Sequence, residues 1–279
     1  MEKGYKSKNS KKRAFEDKPR HFEKPRREQI DLDCTVAGRN AVRELLASGR
    51  DIDKIYVSGG EREGSIKLLV ASAIERKIPV IEAERAKLDA ISGGVSHQGI
   101  VALAPKHDYC TVDDILEYAK ERGEAPFIVI LDELEDPHNL GAILRNADAT
   151  GAHGVIIPKR RSVGLTGTVA KASAGAIEHV CVAKVTNVSQ TIDELKENGL
   201  WIYGADMDGK NYFESDFSGG VALVLGSEGF GISRLVKEKC DFIVSIPMYG
   251  KVNSMNVSCA GAVLLTEIAK QRHFYKKEG

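Results

Sequence analysis

The sequence predicts an α/β protein built on a parallel sheet, and three observations predict it. From Phe127 onward six short runs, FIVILD, GVIIP, VCVAKV, LWIYGAD, VALVLG and FIVSIP, are apolar on consecutive positions, the pattern of strands covered on both faces. Most are separated by stretches of helical period such as TIDELKEN, the crossovers that parallel neighbours need. Glycine, proline and asparagine gather where the strands should end, and parallel sheets bind ligands beyond those carboxyl ends. The loops after Leu131, Leu225 and Pro247 are therefore the places to look for chemistry.

The alternation begins earlier, in a compact unit from Thr35 to about Pro105. NAVRELLAS reads as helix, KIYVS as strand, SIKLLVASAIERK as helix, IPVIE as strand, AKLDAI as helix and GIVALA as strand. TVDDILEYAKERG follows as a helix capped by Thr111 and stopped by Gly123, either a linker or the first helix of the next domain. At 279 residues the chain exceeds what one core usually serves. The expected layout is a basic tail over 1–30, a smaller α/β domain over 31–106, a linking helix over 107–124 and the larger domain over 125–275.

Composition narrows the function classes. With 42% hydrophobic and 29% charged residues the chain reads as an ordinary globular protein. Its longest apolar stretch, around Val257 to Leu265, falls short of the roughly 20 residues that span a bilayer, so no membrane partner is expected. The basic N-terminus lacks the apolar core of a secretory signal, and a cytoplasmic location is the expectation. Cys34, Cys110, Cys181, Cys240 and Cys259 are odd in number and contain no CxxC pair, which argues against disulfides and against a zinc site; reduced, mostly buried thiols and no metal are expected. The zero net charge conceals an asymmetry: residues 1–30 hold 11 Lys and Arg against 5 Asp and Glu, and the remainder holds 29 against 35. A basic tail poor in aliphatic residues suits disorder, serving either as a polyanion-binding arm or as a solubilising leader.

Three loops carry the chemical signals. In LDELEDPHNLGAILRNADATGAHGVII, Pro137 ends the preceding segment, Asn139 stands as the expected N-cap and Arg145 lies within the helix that follows. An Arg among Ala, Ile, Leu and Asn suits recognition of a phosphate or another anion. His138 is a general base by type, although a lone His is more often structural. In VALVLGSEGFGISRLVKEKC, a strand, a glycine loop and a helix follow in the order that cradles phosphates. The spacing from Gly226 to Gly231 matches a Walker loop, but Ile232 stands where its Lys belongs, and the run is not GxGxxG. Glu228 inside the loop repels a pyrophosphate and favours a ligand with a positive centre. A nucleotide-dependent oxidoreductase or NTPase is thereby disfavoured. In IPMYGKVNSMNVSCAGAV, Ser254 or Asn256 caps a last helix from Val257 to about Phe274. Asn253, Ser254, Asn256 and Ser258 exceed what one cap requires, so a ligand is expected to share this entrance.

Together DPHNLGAILRNADATGAHGVI, VLGSEGFGIS and IPMYGKVNSMNVSCAGAVLL resemble, in order and spacing, the three signature motifs of the SpoU (TrmH) family of RNA 2'-O-ribose methyltransferases of the SPOUT class. SVGLTGTVAKASAGAIEHV, GRNAVRELL and SHQGIVALA are similar to the subgroup that methylates a guanosine of bacterial 23S rRNA. The resemblance runs over about residues 34 to 274. It implies a SPOUT-type sheet with a C-terminal trefoil knot, an exception to the rule against knots, and a smaller L30e-like N-terminal domain that binds RNA. It implies S-adenosyl-L-methionine as cofactor, a homodimer, and a role in rRNA processing. Carried onto this sequence it assigns Gly226, Ser227, Glu228, Ile246, Pro247, Met248, Met255 and Ser258 to the cofactor and Asn139, Arg145, Glu228, Ser254 and Asn256 to catalysis. Action on tRNA, or an RNA-binding homologue without catalysis, are the alternatives within the family; the second predicts disrupted motifs, and none is disrupted here. Lys159, Arg160 and Arg161, after GVIIP, form a basic cluster suited to RNA phosphates or simply to solvent.

Overall fold

A computed structural model describes Met1, residues 34–60 and residues 64–274; the expected tail over 1–30, Met1 apart, lies outside the described residues. The amino-terminal part contains β1 (Thr35–Ala37), α1 (Arg39–Ala47), β2 (Lys54–Ser58), α2 (Gly64–Glu75), β3 (Val80–Ala83), α3 (Arg85–Ile91) and β4 (Ile100–Leu103). Its sheet is mixed, in the order β1-β4-β2-β3, with β4 antiparallel to both β1 and β2 and β3 parallel to β2. α1 exists because Ala41, Val42, Leu45 and Leu46 fall on one stripe and are all buried. They meet Ile55, Val57, Ile100 and Ala102 in a core of their own.

The helix α4 (Val112–Glu121) opens the larger part. Thr111 caps it through a reciprocal box with Asp114, and Ile115 is buried against the larger sheet, so α4 belongs to that layer and is more than a linker. The remaining elements are β5 (Phe127–Leu131), α5 (Pro137–Thr150), β6 (Gly154–Pro158), α6 (Gly167–Ala172), β7 (Cys181–Val185), α7 (Val188–Glu197), β8 (Leu200–Asn211), β9 (Gly220–Leu225), α8 (Arg234–Lys239), β10 (Phe242–Ser245) and α9 (Val257–Phe274). All six strands are parallel, in the order β10-β8-β9-β5-β6-β7. Alternate residues explain the continuous apolar runs. Phe127, Val129 and Leu131 face α5, α6 and α9, while Ile128 and Ile130 face α4, α7 and α8. The α/β class with a parallel sheet is thus the observed one.

Several details depart from expectation. The cap of α5 is Asp136, whose side chain accepts from the His138 amide at 2.9 Å; Pro137 begins the helix and Asn139 lies inside its first turn. Pro at the first helical position loses no hydrogen bond, which makes the preceding Asp the better cap. β8 runs past LWIYGAD to Asn211, and β10 follows it across a bulge between Ile243 and Val244. The helix α6 and the 3₁₀ turn Ala176–Glu178 had no strong periodic signal. All five cysteines are free, but four are only half-buried and Cys259 is exposed. Among the described residues no helix is long and apolar enough to cross a membrane.

Candidate active site

The carboxyl ends of β5 and β9 lie side by side, because Leu131 and Leu225 are partners in the register. The loops leaving them therefore start together, and the backbone amide of Asp132 donates to the Leu225 carbonyl at 2.8 Å. Asp132, itself buried, accepts from the Ser233 amide at 2.7 Å and so fixes the far end of the glycine loop. Within that loop Ser227 and Gly231 exchange two backbone hydrogen bonds of 3.0 Å. Gly226 must be glycine: a Cβ there would stand 2.1 Å from the Gly231 carbonyl carbon.

Glu228 is projected by this tight loop toward α5 and α9. The Asn139 amide nitrogen donates to Glu228 Oε1 at 2.8 Å, and the Asn256 amide nitrogen donates to the same oxygen at 2.5 Å and to Asn139 Oδ1 at 3.1 Å. Asn256 Oδ1 in turn accepts from the Ser258 amide at 3.0 Å, the Ser258 hydroxyl at 2.6 Å and the Cys259 amide at 3.3 Å. One asparagine thus caps α9 with its oxygen and holds the carboxylate with its nitrogen. Three segments more than a hundred residues apart in sequence at their extremes close into a single polar network, charge-assisted at Glu228. A fourth member went unread in the sequence: Asn146 donates to the Ser258 carbonyl at 3.1 Å. It lies seven residues after Asn139, on the same face of α5, and that spacing was its signal.

Beside the network opens a cavity of about 710 Å³, lined by Gly226, Ser227, Glu228, Ile246, Met248, Ser254 and Met255 among the predicted residues. Pro247 and Ser258 do not line it, and Asn139, Arg145 and Asn256 stand outside its wall. Unpredicted contributors are Ala205 to Asp208 in the middle of β8, together with Lys237, Val257 and Leu264. Lys237 pairs with Asp206 at 3.0 Å, and that carboxylate holds the ammonium above its ordinary range. The walls are largely apolar, with carboxylates at the rim, a combination suited to a mainly apolar ligand bearing a positive charge. Among the described residues no group of three His, Cys, Asp or Glu side chains is placed to hold a metal ion.

Arg145 is exposed on α5, and among the described residues it has no hydrogen bond or ion pair. Six residues from Asn139, it is rotated off the face that carries Asn139 and Asn146. His138 contributes its backbone amide to the cap of α5. Lys159 and Arg160 are exposed at the end of β6, whereas Arg161 is tied to Glu133 at 2.7 Å, and that partner raises its guanidinium further.

Comparison with known proteins follows the same division. Residues 126–266 match the SpoU rRNA methylase family, and residues 35–110 match the RNA 2'-O ribose methyltransferase substrate-binding family. The chain is 48% identical over 239 residues to YacO of Bacillus subtilis (strain 168), a protein assigned to the TrmH family tRNA/rRNA methyltransferases, covering 85% of this chain and 96% of that one. A Staphylococcus aureus (strain MSSA476) protein of the same description is 48% identical over 244 residues, covering 86% and 97%. A solved RNA 2'-O ribose methyltransferase superposes with a TM-score of 0.71 at 25% identity, over 85% of this chain and 88% of that one. The fold is also that of the SpoU methyltransferase AviRb from Streptomyces viridochromogenes, solved with AdoMet, at a TM-score of 0.71 and 23% identity over 85% and 89%. The three joined loops thus sit on a family fold over nearly the whole described chain, and the chain belongs to the SpoU rRNA methylase family.

Proposed function

We propose that the protein transfers a methyl group from S-adenosylmethionine to a ribose 2'-hydroxyl of RNA, with a guanosine of 23S rRNA as target. The observation that carries this reading is the Asn139–Glu228–Asn256 network set against the 710 Å³ cavity. The cavity fits the cofactor in size and chemistry. Leu225, Ile246, Val257 and Leu264 offer apolar wall to a purine and an aliphatic chain, and Ser227, Ser254 and Asn253 bring polar side chains to the same wall. Bound there, S-adenosylmethionine supplies a methyl group on a positively charged sulfur. Gly226, Ser227, Glu228, Ile246, Met248 and Met255 would hold it, with Pro247 and Ser258 supporting from behind the wall.

The chain's own residues have three tasks. Glu228, fixed by two asparagine amides, presents a carboxylate to the positive end of the ligand, and its Coulombic attraction is strengthened where the cavity excludes water. Arg145 meets the RNA. A ribose hydroxyl is a weak nucleophile that must be held in line, and a guanidinium that keeps its proton does so by holding the hydroxyl and the neighbouring phosphate while the hydroxyl proton leaves to water. Ser254, at the rim, and Asn256 orient the same region. The segment 35–110 binds the RNA, joined by Lys159, Arg160 and Arg161 at the end of β6. The reading places the protein in the cytoplasm as a homodimer with a trefoil knot through β9 to α9. Arg145 without a partner among the described residues, and the exposed Tyr249 and Val252, suit completion by a second copy.

The test is to incubate the protein with S-adenosylmethionine and unmodified 23S rRNA or unmodified tRNA, then map alkali-resistant linkages. One new linkage at a guanosine of the 23S rRNA is expected. A linkage in tRNA alone would replace the target while keeping the chemistry, and methylation on a base would overturn the reading.

A further inference from the structure

We propose that Glu178 is a positioning residue: it clasps the segment 35–110 to the back of α5, so that RNA held by that segment meets the active site at one fixed angle. The proposal rests on the RNA reading above. Glu178 closes the 3₁₀ turn after α6, and its side chain is only 2% exposed. A carboxylate so deeply buried keeps its charge only with donors around it. Among the described residues its side-chain donors come from the segment 35–110. Arg50 Nη1 donates to both oxygens at 2.9 and 3.1 Å, His107 Nε2 stands 2.9 Å from Oε1, and the Ser48 hydroxyl donates to Oε2 at 3.3 Å. Arg50 also reaches the Pro105 carbonyl at 2.7 Å. Arg76 stiffens the same corner by donating to the carbonyls of Leu46, Gly49 and Arg50.

Flanking contacts widen the clasp. His179 Nε2 lies 3.1 Å from Glu44 Oε2 on α1, and Lys171 Nζ donates to the Ser96 carbonyl at 2.5 Å. A Cβ on Gly175 would fall 2.3 Å from Glu44 Cγ, so α1 rests directly on this backbone. The opposite side of the same segment backs onto α5. A Cβ on Gly141 would stand 2.4 Å from the Ala172 side chain and 2.8 Å from the Ser173 nitrogen, and Gly141 is two residues from Asn139. Contacts therefore run without a gap from α1 through Glu178 and α6 to the helix that carries Asn139 and Arg145. None of the clasp residues lines the cavity. The clasp also carries a cost, because Arg50 Nε is buried without a partner among the described residues, which lowers the net hold.

The variant Glu178→Gln keeps the shape and removes the charge. Expected are a larger radius of gyration in small-angle X-ray scattering and a KM for transcribed 23S rRNA raised about ten-fold. The kcat at saturating RNA should stay within about two-fold, and S-adenosylmethionine affinity by calorimetry should not change. Glu178→Asp should recover part of the KM. Scattering and KM both unchanged, or kcat reduced with KM intact, would overturn the proposal. Should Glu178→Gln not fold, the pair Arg50→Gln and His107→Gln is measured instead and read in the same way. Scattering decides the clasp even if the wild-type protein methylates neither RNA, so failure of the functional reading is told apart from failure of this one.

Discussion

The two ends of the six-stranded sheet use polar side chains in opposite ways. At the carboxyl end Asn139, Glu228 and Asn256 bond one another, and Glu228 also lines a cavity. At the amino end the polar groups bond the backbone of the sheet itself. Arg272, on α9 and only 6% exposed, donates to the carbonyls of Gly219 and Ala125 and lies 5.4 Å from the centre of the Phe127 ring. His153 accepts from the Phe127 amide at 2.9 Å through Nδ1 and meets Glu124 at 3.1 Å through Nε2. The first arrangement turns a carboxylate toward the cavity; the second holds the segments that lead into the strands. A single helix, α9, serves both, with Asn256 just before its start and Arg272 near its finish.

The sharpest break of that comparison is a pair of substitutions that separate activity from stability. Arg145→Ala should lower kcat/KM about 1000-fold, near 4 kcal/mol of transition-state stabilisation, with Tm and cofactor affinity nearly unchanged; lost cofactor binding in calorimetry would show Arg145 to be misassigned. Arg272→Met should do the reverse, costing about 2 kcal/mol of stability because the charge-assisted hydrogen bonds of the buried guanidinium to the Gly219 and Ala125 carbonyls are lost, with kcat retained at 25 °C; urea unfolding measures it. Asn256→Ala should fall on both sides. Loss of the cap costs about 1 kcal/mol in unfolding, and the loosened Glu228 should weaken cofactor binding about ten-fold.

The smallest effect belongs to His153. Burial pushes its imidazole below the ordinary value, against the opposing pull of Glu124. The unfolded chain therefore takes up a proton at a pH where the folded one does not, so stability is present above the ordinary value near pH 6.5 and declines as the pH falls through it. The loss levels off below the folded value. Thermal unfolding between pH 7.5 and 5.5 should show this slope in the wild type and a flatter one in His153→Gln.

Much of this was legible in the residues. Strands such as FIVIL announce themselves because both faces are covered, and the rule that ligands bind beyond carboxyl ends led to the three loops that build the network. The same rule applied to the expected strand LWIYGAD would have found Asp206 and Asp208, and the heptad from Asn139 would have found Asn146. The cap expected at Asn139 failed because Pro137 takes the first helical position and leaves the preceding Asp136 to cap α5, although Asn139 fitted the residue preference. The helix α6 escaped because it packs by closeness of backbone at Gly141 rather than by a stripe of large apolar residues. The bonds of Ser48, Arg50 and His107 to Glu178 span up to 130 positions with no local period, so no spacing rule reaches them.

The placement of Asn256 has a consequence for biosynthesis. Until the stretch that becomes α9 has left the ribosome, Glu228 lacks one of its two amide donors and the cavity lacks Val257, Ala260 and Leu264 from its wall. A nascent chain therefore completes this cavity only after α9 has emerged, and a ligand held in the cavity reports that α9 has docked.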